Sequence, residues 1–304
     1  MTPHRADSID VLRGMAMLWM TVFHFCFDLS HFGLWPQDFR ADPWWTQQRT
    51  AIVSLFLLCA GCGQAMALDA GWGWARFARR WGYIVAAAAL VTLGSWWMFP
   101  QSFIYFGVLH GMAVMLVLVR LLAGAGQHLW WLGAVMLALP WVAQALLQGP
   151  WAAAAPWFDG RALNWLGLVA RKPWTEDYVP VFPWLGVMCW GMALGQLLLR
   201  QRWVGLRWVA PPALHWLAWL GCHSLGYYLL HQPFMIGALM LWLALFICSA
   251  SYFIPKLSSI SNEQADARAV MTGRVTDAYT NIQTVKLFAH AGRESQYAKS
   301  SMQQ

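Results

Sequence analysis

Residues 8–29 read SIDVLRGMAMLWMTVFHFCFDL, and this stretch decides the fold. It is apolar and, at about 20 residues, long enough to cross the hydrocarbon of a bilayer as a helix. Yet Arg13, His24 and Asp28 stand inside it. A charged or titratable group in a membrane helix is costly, which makes each one a functional-site hypothesis by default. Eleven residues of helix advance ~16 Å and turn almost a whole number of times, so Arg13 and His24 share a face. His24 and Asp28 are four positions apart and are neighbours on that face. One stripe therefore offers a guanidinium, an imidazole and a carboxylate.

The rest of the chain repeats the apolar pattern. Of 304 residues, 59% are hydrophobic and 11% charged, the balance of a polytopic membrane protein. The expected fold is all-α, a bundle of about eight transmembrane helices with a C-terminal cytoplasmic helix. The expected spans are residues 11–29, 51–68, 81–99, 103–122, 129–147, 181–199, 214–230 and 234–254. The seventh is short and carries Gly221 and Gly226, so tilt or support from neighbours is expected there. The first span is too long for a signal-peptide core and is not followed by a small-residue cleavage site, so it is expected to remain as a helix.

Arginines set the orientation. Arg76, Arg79 and Arg80 follow the second span, Arg120 follows the fourth, and Arg200, Arg202 and Arg207 follow the sixth. These connections fall on the side of the N-terminus, so both termini are expected in the cytoplasm. The formal charge of +7 is mostly this topology signal plus a basic tail, and no nucleic-acid partner is expected. The 23 tryptophans, with pairs such as Trp44–Trp45, Trp96–Trp97 and Trp130–Trp131 at span ends, read as an interfacial belt. Cys59 and Cys62 form a C-x-x-C inside an apolar span with no second pair to complete a zinc site, so packing is expected and no metal. The longest connection, residues 148–180, carries Trp151, Trp157, Trp165 and Trp174 and is expected at the membrane surface, where it would cap a cavity.

Several side chains suit chemistry. A histidine such as His24 suits general-base work at neutral pH, and Asp28 is placed to fix its tautomer. Arg13 matches a phosphate or pyrophosphate in a bidentate way, or else snorkels and pairs with Asp10. His110, and His231 followed by Gln232, either bind a polar substrate or tie helices together. Asp177, at the mouth of the sixth span, faces a substrate or caps a helix, and the prolines of the following VPVFP suit a helix start.

Four motifs carry a family resemblance. IDVLRGMAMLWMTVFHFCFDLSHFG at 9–33, FIYFGVLHGMAV at 103–114, DYVPVFPWLGVMCWGMALG at 177–195 and HSLGYYLLHQP at 223–233 appear in this order. The chain from residue 5 to about 237 resembles the bacterial branch of the heparan-alpha-glucosaminide N-acetyltransferase catalytic-domain family. Arg13-x10-His24 also resembles the signature of the acyltransferase-three membrane enzymes. The resemblance implies a bacterial inner-membrane enzyme that moves an acyl group, such as acetyl, from cytoplasmic acyl-CoA to a sugar or glycan acceptor. The residues themselves make His24, Asp28 and Arg13 the catalytic candidates. Substrate contacts fall to His110, Asp177, His231 and Gln232, and the acyl-CoA phosphates to Arg13, Arg76, Arg79 and Arg80. In the lysosomal branch the key histidine lies in a loop after the first span, so His31 competes with His24. A transporter or flippase of a small glycan, or a non-functional hybrid, are the alternatives. A homo-oligomer is compatible with all three.

From about residue 240 the sequence resembles something else. LWLALFICSASYFIPKLSSIS at 241–261 and TGRVTDAYTNIQTVKLFAHAGRESQYAKSSMQ at 272–303 are similar to a membrane span and the long cytoplasmic helix of an ABC exporter. The sequence holds no G-x-x-x-x-G-K-[ST] loop, so no ATP site is expected. Two parts are therefore expected: an acyltransferase-like membrane domain over 1–239 and an exporter-like segment over 240–304, joined as a chimera or truncated fragment.

Overall fold

A computed structural model describes residues 6–39, 41–283 and 291–300. The architecture is all-α. Six helical stretches of the described residues are long and apolar enough to cross a membrane, one of which, Val108–Gln148, holds two helices in succession. The chain divides into two compact units, Met1–Met235 and Ile236–Gln304.

In the first unit, α1 spans Asp7–His31, α2 Pro43–Asp69, α3 Trp74–Met98, α4 Val108–Leu122 and α5 Leu129–Gln148. A five-residue helix α6, Ala155–Asp159, lies in the long connection, where Trp151, Trp157 and Trp174 are exposed. α7 covers Val181–Arg200 and α8 covers His215–Cys222. After a one-residue break at His223, α9 runs over Ser224–Thr280. In the second unit α9 continues, with exposed side chains, and α10 covers Ala291–Ser300.

Small residues hold the bundle together where lipid removes the hydrophobic drive for helix association. A Cβ on Gly61 of α2 would collide with the Met188 carbonyl of α7, and one on Gly191 of α7 with the Leu58 carbonyl of α2. The two backbones therefore touch, and Leu57, Met115, Met188 and Met192 fill the core around them. Between α1 and α8, Gly14 meets the Leu217 carbonyl and Gly221 meets that of Asp10. Cys62 belongs to this packing, its thiol donating to the Gly191 carbonyl at 3.0 Å.

The structure moves several expected boundaries. The second span begins at Pro43, not 51, because Asp42 caps it by accepting from the Trp44 N–H at 2.8 Å. The third begins at Trp74, so Arg76, Arg79 and Arg80 sit on its first turns and not in a loop. The fourth begins at Val108, since residues 103–107 are not helical and Phe106 bridges to Tyr178. Arg120 is buried, not a loop residue: it donates to the Trp72 carbonyl and lies 4.8 Å from the Phe77 ring centre.

The largest difference concerns the seventh and eighth spans. No reversal separates them among the described residues: α8 is only eight residues long, and α9 passes through Gln232–Pro233 without a break. A membrane helix tolerates the missing proline N–H where neighbours satisfy the freed carbonyl.

Candidate functional site

α1 and the start of α9 run side by side in the same direction. Thr21 meets Tyr227, His24 meets His231 and Asp28 meets Gln232, with both numbers rising together. Five crossings in between, α2 to α5 and α7, fit this parallel sense, because each crossing reverses the chain.

The contacts form a ladder. Thr21 donates to the Met17 carbonyl at 2.9 Å, so the Tyr227 hydroxyl is the donor in the 2.6 Å bond between the two side chains. The Tyr227 ring stacks on His231, with centres 5.8 Å apart and planes 13° apart. The rings of His24 and His231 lie 5.2 Å apart, tilted by 59°. One turn on, Gln232 Nε2 donates to Asp28 Oδ1 at 2.7 Å.

Three buried polar atoms in this ladder have no partner: Asp28 Oδ2, His231 Nε2 and Gln232 Oε1. Buried polar groups are nearly always satisfied, so three together mark a place where a polar ligand or water belongs. The arrangement offers acceptors and titratable rings, suited to holding a hydroxyl or amine and moving its proton.

The structure gathers four of the expected residues here: His24, Asp28, His231 and Gln232. It does not join Asp28 to His24 by a hydrogen bond, because the carboxylate turns to Gln232. The others lie elsewhere. Arg13 sits about three helical turns from His24. It pairs with Asp10 at 3.1 Å and lies 3.5 Å from the Gly221 carbonyl, between α1 and α8. Asp10 also accepts from the Cys222 thiol at 3.6 Å.

His110 has both ring nitrogens committed. Nδ1 accepts from the Gly107 N–H at 3.3 Å, so Nε2 carries the proton and donates to Thr92 Oγ1 at 2.9 Å. Thr92 passes its own proton to the Ile104 carbonyl at 2.8 Å. Asp177 caps a helix, though not the one it precedes: its Oδ2 accepts from the Val108 N–H at the start of α4, at 2.8 Å. Burial raises the Asp177 carboxyl above the usual carboxylate range, and the Val108 N–H pulls the other way. Arg76 and Arg80 are exposed and lie 5.2 and 4.3 Å from the Trp72 ring centre. Arg79 is exposed beside them.

His31 is exposed and lines a cavity of about 200 Å³ with Phe27, Ser30, Gln37, Asp38 and Phe39. Sequence reasoning missed Thr21 and Tyr227. The signal was available: Tyr227 stands four residues before His231, one helical turn away. Among the described residues no group of three or more His, Cys, Asp or Glu side chains is placed to hold a metal ion.

Comparison with known proteins finds two kinds of relative. Residues 5–233 match the family described as heparan-alpha-glucosaminide N-acetyltransferase, catalytic. The exporter-like tail has a counterpart in an uncharacterized ABC transporter ATP-binding protein of Haemophilus influenzae, 60% identical over 62 residues. That match covers 20% of this chain and 10% of the relative's length. No solved structure matches. Since the family match takes in all four motifs and the whole ladder between α1 and α9, the chain belongs to the heparan-alpha-glucosaminide N-acetyltransferase catalytic family.

Proposed function

We propose that this multi-pass membrane protein transfers an acetyl group from acetyl-CoA to the hydroxyl or amine of a sugar or glycan. The observation that carries this reading is the ladder between α1 and α9, where His24 and His231 face each other at 5.2 Å beside the Asp28–Gln232 bond. Acyl transfer from a thioester needs a group that accepts the acceptor's proton at the point of attack, and an imidazole suits that at neutral pH.

The donor would enter from the cytoplasmic ends. Arg76 and Arg80, held over Trp72 with Arg79 alongside, have exposed guanidinium groups that fit the phosphates of acetyl-CoA. Arg13, already paired with Asp10, stands in the second turn of α1, toward that end. His24 lies 17 residues into α1, ~26 Å along its axis, so the acetyl group would be delivered deep in the membrane. The N-terminus is read as cytoplasmic, in a bacterial inner membrane, because the arginines at the start of α3 and the end of α7 share its side. The unbroken α9 withdraws the support that eight separate spans gave to the same placement of the C-terminus.

The catalytic domain is read as 1–239, and 240–304 as a joined transporter fragment, since its relative is matched over a tenth of that protein's length. The test is transfer of radiolabelled acetyl from acetyl-CoA to glucosamine by proteoliposomes holding the full chain. Transfer is expected, and His24→Ala, which removes the ring facing His231, should lower it. No transfer by the wild-type chain would sink the assignment.

A further inference from the structure

The geometry points to His231, not His24, as the group that takes the proton from the attacking acceptor. This rests on the acetyltransferase reading above. The His231 Nδ1 atom lies 2.7 Å from the Tyr228 carbonyl oxygen. A carbonyl can only accept, so Nδ1 carries the proton, and the neutral ring keeps its lone pair on Nε2. That Nε2 atom is buried and has no partner. A second-site hydrogen bond that fixes the tautomer is how an imidazole is set up as a base. His24 has no such bond to another described residue, so its tautomer is unfixed.

Tyr227 and Tyr228 hold the His231 ring from two directions. Tyr227 stacks on it, and Tyr228 packs among Ala87, Ala88 and Leu109 of α3 and α4, which anchors the carbonyl that receives Nδ1–H. The titratable groups around the ring are His24 from α1, with Asp28 one turn further, its own Tyr227 and Tyr228, and Asp177 beyond Tyr228.

The step balances. The acceptor's O–H or N–H bond breaks as its proton passes to His231 Nε2. The freed electron pair forms the bond to the acetyl carbonyl carbon. The carbon–sulfur bond of the thioester breaks with its pair on sulfur. The proton then leaves Nε2 for that thiolate, which restores neutral His231 and releases the thiol.

The test compares wild type with His231→Asn in proteoliposomes of the full chain, using radiolabelled acetyl-CoA and glucosamine. The asparagine amide keeps an N–H near the Nδ1 position for the Tyr228 carbonyl and removes the Nε2 lone pair. The expected result is kcat lower by ~100-fold or more. KM for acetyl-CoA should stay within about 3-fold, because the lost interaction belongs to the transition state. The wild-type rate should fall toward acid pH as Nε2 takes up a proton, and the residual rate of the variant should lack that fall. Calorimetric binding of acetyl-CoA to both proteins reports whether the variant is folded. A His231→Asn rate within about 3-fold of wild type, with the acid fall intact, overturns this inference alone. Absence of acetyl transfer by wild type overturns the acetyltransferase reading and this inference with it.

Discussion

Asp28 and Gln232 stand 204 positions apart and meet at 2.7 Å, with the amide donating to the carboxylate. The bond ties the last turns of α1 to the first turns of α9 and leaves Asp28 Oδ2 and Gln232 Oε1 unpartnered beside it. It explains why a carboxylate survives in an apolar span: one of its oxygens is satisfied by a helix that arrives only after five further crossings.

Removing the amide should therefore cost more than a surface bond. Gln232→Leu leaves Asp28 buried without its donor, a loss of ~1–3 kcal/mol. Asp28→Asn keeps an acceptor for Gln232 and removes the buried charge, so it should be close to neutral. Thermal denaturation of the purified proteins in detergent checks both. A Gln232→Leu protein as stable as wild type would show that the bond contributes nothing.

The close approach of α2 and α7 makes a second, sharper demand. Gly61 and Gly191 leave no room for a Cβ against the opposing carbonyls. Gly61→Leu should force the helices apart and expose the Leu57 and Met188 contacts, with destabilisation of several kcal/mol in the range of severe overpacking. Gly82, with open space around it, should accept alanine without loss. Yield of monodisperse protein on gel filtration separates the two outcomes.

Asp177 gives a pH signature. Its carboxyl binds a proton more readily folded than unfolded, because burial raises its folded value. The folded state then holds more protons than the unfolded one between the two values, so stability falls as pH rises from the ordinary carboxylate range through the folded value. Asp177→Asn keeps an acceptor for the Val108 N–H and should flatten that part of the profile. Asp177→Ala also flattens the profile but removes the cap, so it should lie ~1 kcal/mol below Asp177→Asn at every pH. Thermal melts across the pH range decide between these patterns.

The sequence makes the helical class plain because sustained apolar runs have few other uses. It hides the ends for a physical reason. WWTQQRT at 44–50 is too polar to read as a span, yet the Asp42–Pro43 pair that starts α2 was in view. Gln232–Pro233 reads as a stop, but α9 continues because intramembrane helices accept proline. Within the candidate site, the intrahelical spacing of His24 and Asp28 was legible. Their true partners were not, since His231 and Gln232 reach them only through the parallel placement of α1 and α9. Arg13 fell on the same stripe by helical arithmetic, and its ion pair with Asp10 is what the three-residue spacing alone also allowed.

The arginine cluster supplies the last prediction. Arg76 and Arg80 lie against Trp72 on an exposed surface, where the face of a guanidinium rests on the ring and its positive charge attracts an anion. If these groups hold the phosphates of acetyl-CoA before and during reaction alike, they contribute uniform binding. Arg76→Ala and Arg80→Ala should then each raise KM for acetyl-CoA by roughly 5–10-fold and leave kcat unchanged. Because the site is exposed, the effect should shrink as salt rises and the Debye length falls below ~10 Å. Trp72→Ala should give a smaller rise, since it releases the side chains without removing charge. Initial rates across acetyl-CoA concentrations at low and high salt read all three variants, and a fall in kcat at constant KM would place these arginines in the chemistry and not in donor binding.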